Sequence, residues 1–393
     1  MTTIADFKNE IDNMLPCRWE DDYLRDIKKT FDKYIDLVAS IDGVDAKLLD
    51  QVSLLCDILM EVLNMYYDGR KGEAYKQFSD LMNGTPEKDG LFSSIGMKVV
   101  NPESFYYRAR NRKLGVEFTI KDMFHIPLNQ RGIVSTQRYS CPGYPSLYLG
   151  NTVYSCWEEL GRCPFDTLMF SAYKVKYSFK VFDMRIPDDL DYSSEVFRQT
   201  IKRIPLIIAC NCIVKNSQDV FKPEYIIPQM LLETIISNNR RITQRDKSEI
   251  DPNIIWGVIY TSTHVTKDFP YGKRFLENIV LPVVQTNRDS NYCNYLASLF
   301  EISRPSCYEY ESLKENTTRL FWENLSQELT NEEKVLEQYN QSKMGYLEEK
   351  LKNGTFNILP HMVLGFPTNV IEIDHMGTPV SVSIRSSESW TIV

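Results

Sequence analysis

Histidine is scarce: His125, His264, His361 and His375 are the only four in 393 residues, and no two stand at a metal-ligand spacing. Among nine cysteines the close pair is Cys210-Asn211-Cys212 and no CxxC occurs, so no metal site is expected. No G-x-S-x-G, P-loop or G-x-G-x-x-G is present, and many common enzyme classes drop out. No apolar run approaches the roughly 20 residues of a membrane span. Residues 1–10 are polar and acidic, without the apolar core of a signal peptide. A soluble, cytoplasmic protein with reduced thiols is expected, with no membrane partner. Basic charge is in deficit, with 45 Lys and Arg against 53 Asp and Glu for a net −8. That disfavours bulk nucleic-acid binding but allows a local basic cleft for a dinucleotide.

What the chain has is apolar content, 43% of residues, enough for two or three domains by length. Leu24, Ile27, Phe31, Tyr34, Ile35 and Val38 recur at three- and four-residue steps. Val52, Leu55, Leu59, Val62 and Tyr66 do the same, and each set makes one apolar helical face. Ala74, Tyr75, Phe78, Leu81 and Met82 continue the pattern until Asn83-Gly84-Thr85-Pro86 stops it. The middle of the chain changes character. Short strand candidates (105–110, 146–149, one or two in 168–184, 254–260, and a final one at 279–281) alternate with helices at 152–160 and 224–238. An α+β fold follows, not a doubly wound parallel sheet. In the last hundred residues Thr330-Asn331-Glu332-Glu333 reads as a capping box opening a helix to Lys352, and 370–373 with 380–384 as a hairpin through Met376-Gly377-Thr378. The expected division is a helical domain over 1–92, an α+β domain over 93–286, and a helical extension with a terminal hairpin over 287–393.

Residues 105–162 carry the chemistry. Arg108 and Arg110 lie two apart on a strand and so share a face, a fork suited to a diphosphate or an ordinary exposed strand face. Arg138 precedes a Pro-Gly turn that leads into the Ser146-Leu147-Tyr148-Leu149 strand. Tyr148 can stack on a pyridine ring or pack in a core. Glu158 and Glu159 diverge by about 100° on a helix. One can therefore face a site where a carboxylate steadies an oxocarbenium-like ribose, while the other is solvated.

Tyr107-Arg108, Arg138 before its turn, Leu147-Tyr148-Leu149 and the helix ending in Glu158-Glu159 together resemble the RES domain. Cys156 stands at that family's alanine position, three residues before its glutamate, which selects Glu159. Gln137 and Ser140 depart from the family's Gly-Arg-Phe-Asn turn. Ile227-Pro228-Gln229, 256–262 and Asn278-Ile279-Val280-Leu281 fit the downstream pattern, so the likeness covers roughly 96–284. It implies an ADP-ribosyltransferase-like central domain between the helical N-terminal bundle and helical C-terminal region. NAD is then a substrate and no cofactor is needed. Arg108, Arg110 and Arg138 would hold the diphosphate, with Tyr148 on the nicotinamide side. Glu159 would act on the ribose, and Ser262 would orient a substrate group. The implied activity is cleavage of the nicotinamide–ribose bond, by hydrolysis or phosphorolysis, in a bacterial toxin or anti-phage effector. Two other readings stand beside it: ADP-ribosyl transfer to a protein or nucleic acid, and an inactive nucleotide- or partner-binding module. An antitoxin or regulatory protein is the partner the resemblance implies, and the amphipathic flanks suit a homo-oligomer.

Overall fold

The apolar stripes at the N-terminus form helices: α1 (Ile4–Met14), α2 (Tyr23–Ala39), α3 (Ala46–Tyr67) and α4 (Lys71–Asn83). The Asp22 and Asp45 side chains accept the Arg25 and Leu48 backbone N–H groups and so cap α2 and α3. α4 ends where Gly84 takes a φ of +86°, open to glycine at little cost. The computed structural model describes residues 3–86, 88–94, 96–112, 118–187, 194–245, 254–264, 276–284, 291–314, 331–357, 369–373 and 379–383.

Five further helices matter for the site: α5 (Val153–Glu159), α6 (Glu195–Cys210), α7 (Ile226–Arg245), α8 (Asn331–Gln341) and α9 (Lys343–Lys352). α6 lies between the strand candidates in 168–184 and the helix expected at 224–238, where the sequence pattern assigns no element. It packs on α2 and α3 while α7 packs on α4 and on the sheet. One apolar core therefore runs from Phe7, Phe31 and Leu59 through Ile204 and Leu231 to Val258 and Val280. Inside it the Tyr34 hydroxyl finds a partner in the Ile201 carbonyl, 2.8 Å away.

Nine strands make the central sheet: β1 (Met97–Val100), β2 (Phe105–Asn111), β3 (Ser146–Gly150), β4 (Leu168–Val175), β5 (Phe179–Met184), β6 (Ile255–Thr261), β7 (Glu277–Pro282), β8 (Phe300–Ser303) and β9 (Phe356–Asn357). Their order is β9-β8-β4-β2-β3-β7-β6-β5-β1. β5 and β6 run parallel, and the other neighbours antiparallel. The fold is α+β. The strand expected last in the middle of the chain, β7, lies inside the sheet between β3 and β6. The C-terminal region adds β8 and β9 beyond β4, because Phe300 and Ile302 bury apolar surface in the core on one face of the sheet.

The C-terminal helix expected to run unbroken to Lys352 is two helices. Ser342 breaks it by accepting the Gly345 N–H at 3.1 Å as a new N-cap. Gly345 fits because a Cβ there would strike the Tyr339 carbonyl. Asn369–Ile373 and Pro379–Ser383 pair antiparallel as the expected hairpin, while Thr330 and the turn at 376–378 lie outside the described residues. Among the described residues no helix is long and apolar enough to cross a membrane.

Residues 119–128 cover part of the sheet, with Phe124 and Leu128 in its core. Buried His125 pins this segment: Nδ1–H donates to the Ile126 carbonyl and Nε2 accepts the Cys293 N–H, both at 2.8 Å. Burial, reinforced by the charges of Arg108 and Arg110, pulls His125 down to about 4 from 6.5. The unfolded chain therefore takes up this proton first as pH falls. Stability from His125 is complete above pH 6.5 and is lost between 6.5 and 4, in all by about 3 kcal/mol. Urea unfolding at pH 6.5 and 5 is expected to show a loss that His125→Gln flattens. Equal slopes in the two proteins would contradict this role.

Candidate active site

Gly150 ends β3, and the chain turns at once into α5. Thr152 Oγ1 caps the helix by accepting the Ser155 N–H at 2.9 Å. A Cβ on Gly150 would strike Ser155 Oγ and come within 2.9 Å of Cys156 Sγ, so strand and helix meet this closely only over glycine. The C-terminal region holds the same helix start. The buried Glu348 carboxylate on α9 accepts the Val153 N–H at 2.7 Å and the Tyr339 hydroxyl. Burial pushes the Glu348 carboxyl above the usual range, against the pull of those two bonds.

At the other end of α5 the two glutamates separate. Glu158 is buried and clamped by Arg162 Nε at 2.8 Å and by the Tyr154 hydroxyl, so it serves the fold. Glu159 faces a cavity of about 590 Å³. Its Oε1 accepts Ser262 Oγ–H at 2.5 Å and Asn278 Nδ2–H at 2.6 Å. Its Oε2 is left to the cavity, with His264 Nε2 3.9 Å away. The His264 N–H in turn donates to Ser262 Oγ at 3.1 Å. Strands β6 and β7 thus deliver the groups that aim the carboxylate borne by α5.

Cations line other walls of the cavity. Arg108, from β2, donates Nη1–H to the Tyr148 carbonyl at 3.2 Å. Its Nε is sealed from solvent with no hydrogen-bond partner. Burial, and then the Arg110 charge, pulls Arg108 down to about 10. Arg138 donates to the Cys210 carbonyl at 3.0 Å and to Thr263 Oγ1 at 3.3 Å, and lies over the Tyr225 ring. Among the described residues no carboxylate pairs with either arginine. Tyr148 lines the cavity with its hydroxyl turned away, donating to the Tyr139 carbonyl.

Arg108, Arg138, Tyr148 and Glu159 therefore share one cavity, and Ser262 stands directly behind Glu159. Arg110 does not line it. Its guanidinium donates to the Phe124 carbonyl at 2.9 Å and braces the 119–128 segment. The turn bearing Arg138 uses the two residues that depart from the RES pattern. Ser140 Oγ accepts the Gln137 N–H and donates to the Gln137 carbonyl, each at 2.9 Å. Gln229 Nε2 donates to that carbonyl at 3.0 Å.

Sequence reasoning missed Asn278, His264, Lys222 and Tyr225 as cavity residues. Asn278 had a signal: an amide at the head of an otherwise apolar strand must find a partner once buried. Lys222 and Tyr225 had none, because α6 brings their loop to the cavity from far along the chain. Among the described residues no group of three or more His, Cys, Asp or Glu side chains is placed to hold a metal ion.

No family model matches the chain, and no solved structure matches it. Over 293 residues it is 31% identical to the Bacillus subtilis (strain 168) protein named "Putative toxin YopC". That match takes in 70% of this chain and 63% of the relative, so the chain spans somewhat under two thirds of the relative's length.

An arginine held without a carboxylate, its Nε–H buried and unbonded, costs folding free energy. Arg108→Met is expected to stabilise the protein by about 1–3 kcal/mol, read as a higher urea midpoint at unchanged slope. A lower midpoint would mean that Arg108 is a structural prop and not a group held ready for an anion.

Proposed function

We propose that this chain binds NAD in the Glu159 cavity and breaks its nicotinamide–ribose bond, as a RES-type enzyme with an ADP-ribosyltransferase-like site. The observation that carries the reading is a carboxylate, fixed by two donors on Oε1 and open on Oε2, in one cavity with two arginines that lack carboxylate partners. A diphosphate supplies the charge those arginines lack. The cavity volume of about 590 Å³ falls within the usual range for sites that bury a small molecule. The Tyr148 ring, its hydroxyl engaged elsewhere, offers a flat face to a pyridine.

The chemistry asks little of acid groups. The ribose C1′–N1 bond breaks, and its electron pair leaves with nicotinamide, which departs neutral. The positive charge left on the ribose is steadied by Glu159 Oε2, whose direction is set in advance by Ser262 and Asn278. Attack by water gives ADP-ribose, and attack by phosphate gives its 1-phosphate. A toxic role fits the relative's name, since loss of NAD halts a cell, and a restraining partner protein belongs with such a role.

Purified protein incubated with NAD is expected to release nicotinamide. Glu159→Gln is expected to lower the rate by about 10²–10³-fold, while Glu158→Gln mainly lowers stability by freeing Arg162 and Tyr154. A folded wild-type protein that releases no nicotinamide would sink the reading. Radiolabel from NAD appearing on a macromolecule would redirect it to ADP-ribosyl transfer.

A further inference from the structure

Water attacking C1′ must lose a proton, and Glu159 is poorly placed to take it. Its Oε1 already accepts from Ser262 and Asn278, and its Oε2 is engaged with the ribose cation in the reading above. The other groups lining the cavity are worse acceptors. Burial pushes Cys156 up to about 12 and holds Tyr148 and Tyr260 well above the ordinary phenol range. Arg108, Arg138 and Lys222 are cations.

His264 remains. Its side chain is 48% exposed, at the cavity wall, with Nε2 3.9 Å from Glu159 Oε2. Its backbone N–H donates to Ser262 Oγ at 3.1 Å, which ties this residue to the same serine that aims Glu159. The charged groups that line the cavity with it are Glu159 on α5, Arg108 on β2, Arg138 on the 137–144 turn and Lys222 on the loop after α6.

Resting on the NAD-cleaving reading, we propose that His264 is the general base for the acceptor: Nε2 takes one proton from the attacking water as its oxygen bonds to C1′. Nicotinamide has taken the electron pair of the broken bond and can return to C1′ until the water oxygen bonds there, and the imidazolium hands its proton to solvent through its exposed edge. NAD and water thus give ADP-ribose, nicotinamide and a proton.

The test separates proton removal from bond breaking. Azide is a nucleophile with no proton to surrender. His264→Ala is expected to lower NAD hydrolysis by about 10²-fold with KM for NAD changed less than about twofold, in the range of an unaltered binding step. Sodium azide should then restore nicotinamide release and yield the ribosyl azide. Undiminished hydrolysis in His264→Ala overturns the inference. So does a loss that azide does not restore, because His264 would then act on bond cleavage or on folding. A wild-type protein that releases no nicotinamide defeats the NAD reading itself, a result distinct from either.

Discussion

The grip of Ser262 and Asn278 on one oxygen of Glu159 is the contact on which the rest of the site depends. It joins three parts of the chain remote in sequence: the helix after β3, the end of β6 and the start of β7. It also divides the labour of the carboxylate, with one oxygen spent on position and the other left for chemistry. Preorganisation of this kind means that little reorientation is needed when charge develops on a substrate. The helix is fixed at three points: over Gly150, where strand and helix meet without a Cβ between them; at Val153 by Glu348; and at Glu159.

The regions outside the central sheet are structural parts of this arrangement. The N-terminal helices back α6 and α7, and those two helices in turn supply Cys210 and Gln229, which hold Arg138 and its turn. The C-terminal helices supply Glu348 and Tyr339 at the start of α5. A cavity that holds Arg108 without a counter-charge is costly, and a large continuous core offsets that cost. The same logic accounts for His125, kept neutral to seal the segment that Arg110 braces.

The N-terminal helices were legible because burial there follows a simple 3.6-residue period. Helix α6 was not: Pro205 lies inside it, and residues 203–210 are all buried, so its second half shows neither an unbroken helix-forming run nor a one-sided stripe. In the site, Arg108, Arg138, Tyr148 and Glu159 could be picked out because they follow one another on neighbouring elements. The strand period put Arg110 on the same face as Arg108 but could not tell that the 119–128 segment would cover it. His264, just past the end of β6, and Asn278, on β7, meet α5 only in three dimensions. Helical geometry said only that one of the two glutamates could face a site; the choice of Glu159 came from the RES resemblance through Cys156, and Arg162, four residues after Glu158, explains why that glutamate turns inward.

A crystal structure with ADP-ribose bound tests the central claim most directly. The account predicts diphosphate oxygens within hydrogen-bond distance of the Arg108 and Arg138 guanidinium groups, with the ribose hydroxyls facing Glu159 Oε2. A nucleotide seated elsewhere, or one whose diphosphate reaches neither guanidinium, would contradict it.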